Sequence, residues 1–402
     1  MKNSKFLINI TCIVLILTTL PLISGWFPYL GEFRPRLLLL GMFVCLCPIA
    51  VLNKGGIYCI LYWLVYAVAF SINGSVWDAV PWFANIMEML IPIGVINILY
   101  RADKDILYNK ICVCFFFIVG LTLFLSIIAL LQNPNAVRDV VGCVAFDRQD
   151  ELKMLQRQGV SEYSMAAMCM VLPAIFIYSY RLLGIHSRNR ILLLIAAVFV
   201  FIFMYLSHVT TTFLICIILT AMAWFMNSTN QRSIIIAGVV VVILAVAVGP
   251  QLLNYIGEIE GNDAYGSRFQ DIQQYAANGQ LDEDSDLDVR LYLYGKSLTA
   301  FFANPLIGSN REDCGGHAYF LDVLGSTGIL GGFCFLMMLL TQFKLAYKLI
   351  PDKMKTIYSL CIFAFLVLGF VKNLAGVNYW LFMFLYIPCL IRFISKLELL
   401  NE

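Results

Sequence analysis

Apolar runs of membrane-crossing length recur along this chain between short polar turns, until a long acidic segment from Leu253 to Gly316 interrupts them. A bilayer core of roughly 30 Å takes about 20 apolar residues per helix. Twelve runs approach that length, near 6–24, 37–53, 56–72, 79–100, 111–132, 161–180, 191–206, 210–227, 233–252, 318–343, 356–371 and 377–394. The expected fold is all-α: a polytopic integral membrane protein of about 12 transmembrane helices, forming one domain over 1–402 with no soluble module. Its two longest connections, 133–160 and 253–316, are helix-compatible in part.

Composition agrees with the pattern. Of 402 residues, 61% are hydrophobic and 13% charged, too little polar surface to cover a soluble globule of that size. Lys2 and Lys5 precede the first apolar run, which reads as an uncleaved helix rather than a signal peptide because no small-x-small cleavage site follows. Lysine and arginine then mark alternate turns: Lys54; Arg101, Lys104 and Lys110; Arg181, Arg188 and Arg190; Arg232; Lys344, Lys348, Lys353 and Lys355; Arg392 and Lys396. By the positive-inside rule those turns and both termini are cytoplasmic, which places the loops 133–160 and 253–316 outside.

The outer loop 253–316 carries eleven acids against four bases, Arg268, Arg290, Lys296 and Arg311. Nucleic acid is not an expected partner for such a surface; membrane lipids are. Eleven of the thirteen cysteines fall in apolar spans. Cys143 and Cys314 lie in outer loops, where an oxidising exterior would let them pair if their Cα atoms approach to roughly 6 Å. No His-x-x-x-His or paired-cysteine spacing suggests a metal site, and no cofactor is expected.

Within the long loop, Ser267 to Ala277 is compatible with a short helix, and a clearer helix runs from Leu287 to Ala303, with Asp286 as N-cap and Asn304-Pro305 as its stop. Leu291, Tyr294, Leu298, Phe301 and Phe302 recur at helical spacing, which predicts a helix lying on the membrane surface with an aromatic face down and Arg290 beside it. Gly315 and Gly316 then allow close backbone approach before His317. Placed in the first turn of the next helix, His317 would feel the positive end of its dipole, which favours the neutral, proton-accepting imidazole. The plainer reading is an interfacial histidine satisfied by headgroups or backbone.

The run Asp288-Val289-Arg290 through Phe301-Phe302-Ala303-Asn304-Pro305-Leu306-Ile307-Gly308, followed by Gly316-His317-Ala318-Tyr319-Phe320-Leu321 and Gly325-Ser326-Thr327-Gly328-Ile329-Leu330-Gly331, resembles the bacterial O-antigen polymerase and O-antigen ligase family (Wzy and WaaL). The similarity covers about Arg268 to Gly331; elsewhere only the topology matches. Ala318 stands where the family often has asparagine, and Ser207-His208-Val209-Thr210-Thr211-Thr212 stands where it often shows Thr-x-Ser-Arg. The resemblance implies a GT-C-like fold in the bacterial inner membrane. It further implies metal-independent, inverting transfer of glycan from undecaprenyl diphosphate, and a separate chain-length regulator as a candidate partner.

That chemistry assigns roles. A diphosphate leaving group needs fixed cations, for which Arg290 and Arg268 are the first candidates and Arg311 and Arg157 the next. The acceptor hydroxyl needs a base, for which the candidate is His317, and Tyr319 is a candidate for lining the sugar site. Duller readings stand beside these: Arg268 pairing with Asp263 and Asp271, and Arg157 anchoring in headgroups. The leading expectation is a polysaccharide polymerase extending a lipid-linked repeat unit, and an O-antigen ligase acting on lipid A core is the alternative. A flippase for the same lipid-linked oligosaccharide is the alternative from another class, and the near absence of charge in the spans, Glu88 and Lys372 excepted, weighs against it. Cell-wall polymerases of the RodA/FtsW kind share the plan but use a loop aspartate where His317 stands.

Overall fold

The computed structural model describes residues 2–17, 21–27, 33–73, 86–101, 105–137, 139–140, 148–160, 163–182, 187–226, 286–309, 311–374 and 377–399. All regular structure among them is helical. The principal helices are α1 (Lys2–Leu17), α2 (Phe33–Leu46), α3 (Lys54–Asn73), α4 (Leu90–Arg101), α5 (Asp105–Gln132), α6 (Gln149–Arg157), α7 (Tyr163–Leu182), α8 (Ser187–Leu206), α9 (Thr210–Phe225), α10 (Asp286–Ala303), α11 (Tyr319–Leu349), α12 (Lys355–Val371) and α13 (Ile387–Leu399).

Seven helices among the described residues are long and apolar enough to cross a membrane: Lys54–Ile72, Val113–Gln132, Tyr163–Leu182, Asn189–Leu206, Tyr319–Leu349, Asp352–Val371 and Asn378–Lys396. They fall on seven of the expected spans. Three shorter apolar helices, Pro35–Leu46, Ile86–Tyr100 and Thr210–Phe225, fall on three more. The first expected span is covered by α1 and the short helix Pro21–Trp26, and the span expected at 233–252 lies outside the described residues.

Burial separates central from peripheral helices. The window in α7 is 83% buried and that at Asn378–Lys396 78%, against 28% for α8, whose Ile191, Leu192, Ile195, Val198 and Ile202 are exposed. An all-apolar helix with an exposed apolar face suits lipid on that side. α7 is interrupted at Met170–Val171, just ahead of Pro173, whose ring cannot accommodate the carbonyl four residues back. α13 is preceded by a π-helical turn, Phe382–Tyr386, in which Tyr386 stacks on Phe115 of α5.

The tenth expected span, 318–343, is not one straight helix. α11 is broken at Gly328, with φ 61° and ψ −162°. Tyr319 and Phe320 lie 5.7 and 6.1 Å from Phe335, ring centre to ring centre. In a continuous helix, residues fifteen or sixteen positions apart stand about 22–24 Å apart along the axis. The two arms therefore fold back on each other: a short arm, 319–327, and a long arm, 329–349, that packs along α3.

The turn after α10 completes this break. Backbone N–H groups of Ile329 and Leu330, which open the long arm, donate to the carbonyls of Pro305 and Leu306, and Ser309 N–H donates to Gly325 O at the end of the short arm. Two N–H groups that open the long arm and one carbonyl near the end of the short arm thus find their partners in residues 305–309, which lowers the cost of the break. A Cβ on Gly328 would collide with the Leu306 carbonyl, and its φ/ψ pair belongs almost only to glycine.

Candidate functional site

α10 begins at Asp286, one residue before the expected start, which makes Asp286 its first residue and not its N-cap; it stops at Asn304-Pro305 as expected, and its apolar residues do not form a single face. Arg290, Tyr294, Ser297 and Phe301 follow at helical spacing along one stripe. Tyr294 donates its hydroxyl to Val371 O at the end of α12, Ser297 packs on the short arm, and Ser297 and Ala300 are buried. Leu291, Leu298 and Phe302 form the opposite, exposed face, followed by exposed Leu306. The five apolar residues are split between two faces because α10 packs alongside the short arm of α11 and exposes only its far side.

The segment from Arg311 to Ala318 crosses over this helix pair. Lys296 Nζ donates to Glu312 O, and Gly315 packs so closely on the Leu293 carbonyl that a side chain there could not fit. Leu293 is three residues from Arg290, so Gly315, two residues before His317, packs on α10 one helical turn from Arg290. His317 itself is exposed. It stands one residue outside the expected position: α11 begins at Tyr319 with Ala318 at its N-cap, so the imidazole is not in the first turn, where the helix dipole acts most strongly.

Because the rings of Tyr319 and Phe335 meet, the start of the short arm, with His317 just before it, lies beside the long arm six residues past its start at Ile329. Lys372 adjoins the same end: its carbonyl accepts the Tyr319 N–H and its Nζ lies 5.3 Å from the centre of the Tyr163 ring. Arg311 is 9% exposed, and its guanidinium is close enough to act electrostatically on the hydroxyls of Tyr62, Tyr66 and Tyr319. The structure thus brings Arg290, Arg311, Lys372 and His317 to one region.

Other expected participants lie elsewhere. Arg157 is exposed at the end of α6, where its carbonyl accepts the Trp26 indole N–H. Tyr319 is only 3% exposed, its ring packed against Phe320, Phe335 and Trp380, so it is part of an aromatic cluster and not an open sugar platform. Arg268, the helix expected at Ser267 to Ala277, and Cys143 lie outside the described residues. Cys314 is buried, donates weakly to Asp322 O, and has its thiol pushed up to about 12, chiefly by burial, with the Asp322 charge adding and Arg311 opposing.

Sequence reasoning missed Asp322. It sits four residues into an apolar run, fully buried, with Oδ1 accepting from Ser297 Oγ at 2.7 Å and Gly316 N at 3.1 Å. An ionisable residue inside a membrane span is itself a signal of function or of a structural lock. The two charges that were noticed are accounted for: Lys372 caps α12, and Glu88, 2% exposed, pairs with Arg36 at 3.2 Å. One backbone oddity lies in the Ser207–Val209 turn, where His208 alone among the described non-glycine residues has positive φ, at 53°.

Chemically, the region holds three cations and an imidazole, and Phe302, Leu306, Ile329 and Phe333, on α10, the turn after it and α11, are exposed apolar residues. That combination suits an amphiphilic anion whose tail stays in lipid. No known protein family matches the chain, and no curated protein shows significant similarity to it.

Proposed function

We propose that the protein is a membrane glycosyltransferase, a polysaccharide polymerase that transfers a growing glycan from undecaprenyl diphosphate onto the next lipid-linked repeat unit. The observation that carries this reading is the exposed His317, two residues from Gly315, which packs on α10 one turn from Arg290. In this reading a lipid diphosphate reaches the site from the bilayer without leaving it. Both termini are then cytoplasmic and the site lies on the outer side of the inner membrane, as the lysine and arginine distribution supports.

His317 accepts the proton of the acceptor hydroxyl as its oxygen attacks the anomeric carbon from the face opposite the diphosphate. The bond from that carbon to the diphosphate oxygen breaks, its electron pair leaves with the diphosphate, and configuration inverts. Arg290 and Arg311 stabilise the charge that develops there, as fixed guanidinium donors do better than water. The Arg311 side chain, already buried, loses little order on binding an anion.

The test is a deletion strain with its lipid-linked intermediates and surface polysaccharide analysed. Loss of all but one repeat unit supports the polymerase. Loss of every unit from lipid A, with lipid-linked polymer accumulating, assigns the protein as a ligase. Unchanged banding overturns both.

A further inference from the structure

The most demanding group near His317 is the Asp322 carboxylate. It is 0% exposed, and its Oδ2 has no hydrogen-bond partner among the described residues. A buried carboxylate is costly to hold unless it organises what surrounds it. Its Oδ1 is shared by two donors from different segments, Ser297 Oγ of α10 and Gly316 N–H, while Ser297 Oγ in turn accepts the Gly315 N–H at 2.9 Å. Three segments, α10, the glycine turn and the short arm, are thereby tied at one point. His317 is the next residue after that knot.

We infer that Asp322 is a positioning residue: its buried carboxylate locks the turn carrying His317 onto α10, and so fixes the imidazole relative to Arg290. Ser297 is the second half of the lock. The lock follows from the geometry, while its catalytic consequence rests on the glycosyl-transfer reading. Asp322 touches no open surface, so it does not act on substrate itself. The Asn304 side chain and Ser309 add a neighbouring tie, Nδ2 to Oγ at 3.1 Å, which holds the far end of the same crossing.

Cys314 provides a built-in reporter. It is 6% exposed under the lock, and loosening the turn uncovers it. The experiment uses the full-length protein purified in detergent and measures N-ethylmaleimide labelling of Cys314 by peptide mass spectrometry, together with kcat and KM on lipid-linked repeat units. In Asp322→Ala and in Ser297→Ala, labelling is expected to rise by about 10-fold or more, and kcat to fall by about 100-fold and 10-fold respectively, with KM little changed. Asp322→Asn keeps an acceptor oxygen for both donors and is expected to stay within about threefold of the wild type on both readouts.

Should Asp322→Ala fail to fold, Ser297→Ala decides, since it leaves α11 untouched. Unchanged Cys314 labelling in the folded variants overturns the lock. Faster labelling with unchanged kcat overturns the positioning role. An inactive wild type whose Cys314 labelling responds as expected sinks the transfer reading and leaves the lock standing.

Discussion

The rings of Tyr319 and Phe335 lie 5.7 Å apart although they stand sixteen positions apart in one helical stretch. That contact joins the two arms of α11 and sets the start of the short arm, with exposed His317 before it, beside the long arm. The Tyr319 ring is buried between them. If its ring serves packing alone, Tyr319→Phe keeps transfer activity within about threefold, while Tyr319→Ala costs about 3–5 kcal/mol of stability. Thermal unfolding in detergent and a transfer assay separate the two effects.

The fold-back depends on Gly328. Gly328→Ala places a Cβ against the Leu306 carbonyl in a backbone conformation that side chains rarely adopt. The expected cost is about 1–3 kcal/mol for the backbone alone, and more for the collision. A lower Tm with loss of polymer is the predicted outcome; a variant as stable as the wild type contradicts the fold-back.

Glu88 and Arg36 form a pair worth separating from the site. Arg36→Met leaves the 2% exposed Glu88 carboxylate without its guanidinium and is expected to destabilise the protein by about 3 kcal/mol. The double substitution Arg36→Met with Glu88→Leu is expected to recover most of that loss. Failure of the second change to restore Tm assigns the pair a role beyond neutralising one another.

Much of this architecture was legible in the sequence. Apolar run length placed the seven long helices, and Asn304-Pro305 marked the end of α10, because a proline that cannot continue a helix is a local signal. The break at Gly328 was not legible: the apolar run continues through it, and only the distant carbonyls of Pro305 and Leu306 make it stable. The two faces of α10 were misread for a related reason, since Tyr294 and Phe301 share helical spacing with Leu291 and Leu298 yet turn toward protein. Asp322 was hidden in an apolar run, although a lone acid there is a strong signal in itself. The motif names His317 and Arg290 as candidates, while the packing of Gly315 on Leu293, which joins their two segments, is a tertiary contact that no local pattern announces.

Arg311 is the cation whose surroundings most limit its motion. Arg311→Lys keeps the charge but loses the planar fork, and transfer is expected to fall by about 100-fold in kcat/KM while the protein remains folded. Activity within a few fold of the wild type would reduce Arg311 to a packing role among Tyr62, Tyr66 and Tyr319.

The central claim is that His317 takes a proton during glycosyl transfer. Its most direct measurement is polymer formation by purified wild-type and His317→Ala protein, supplied with the same lipid-linked repeat units, with Cys314 labelling as the check on folding. The account predicts that transfer falls by about 10²–10⁴-fold while the labelling rate stays as in the wild type. Polymer of unchanged amount and length from the His317→Ala protein would contradict it.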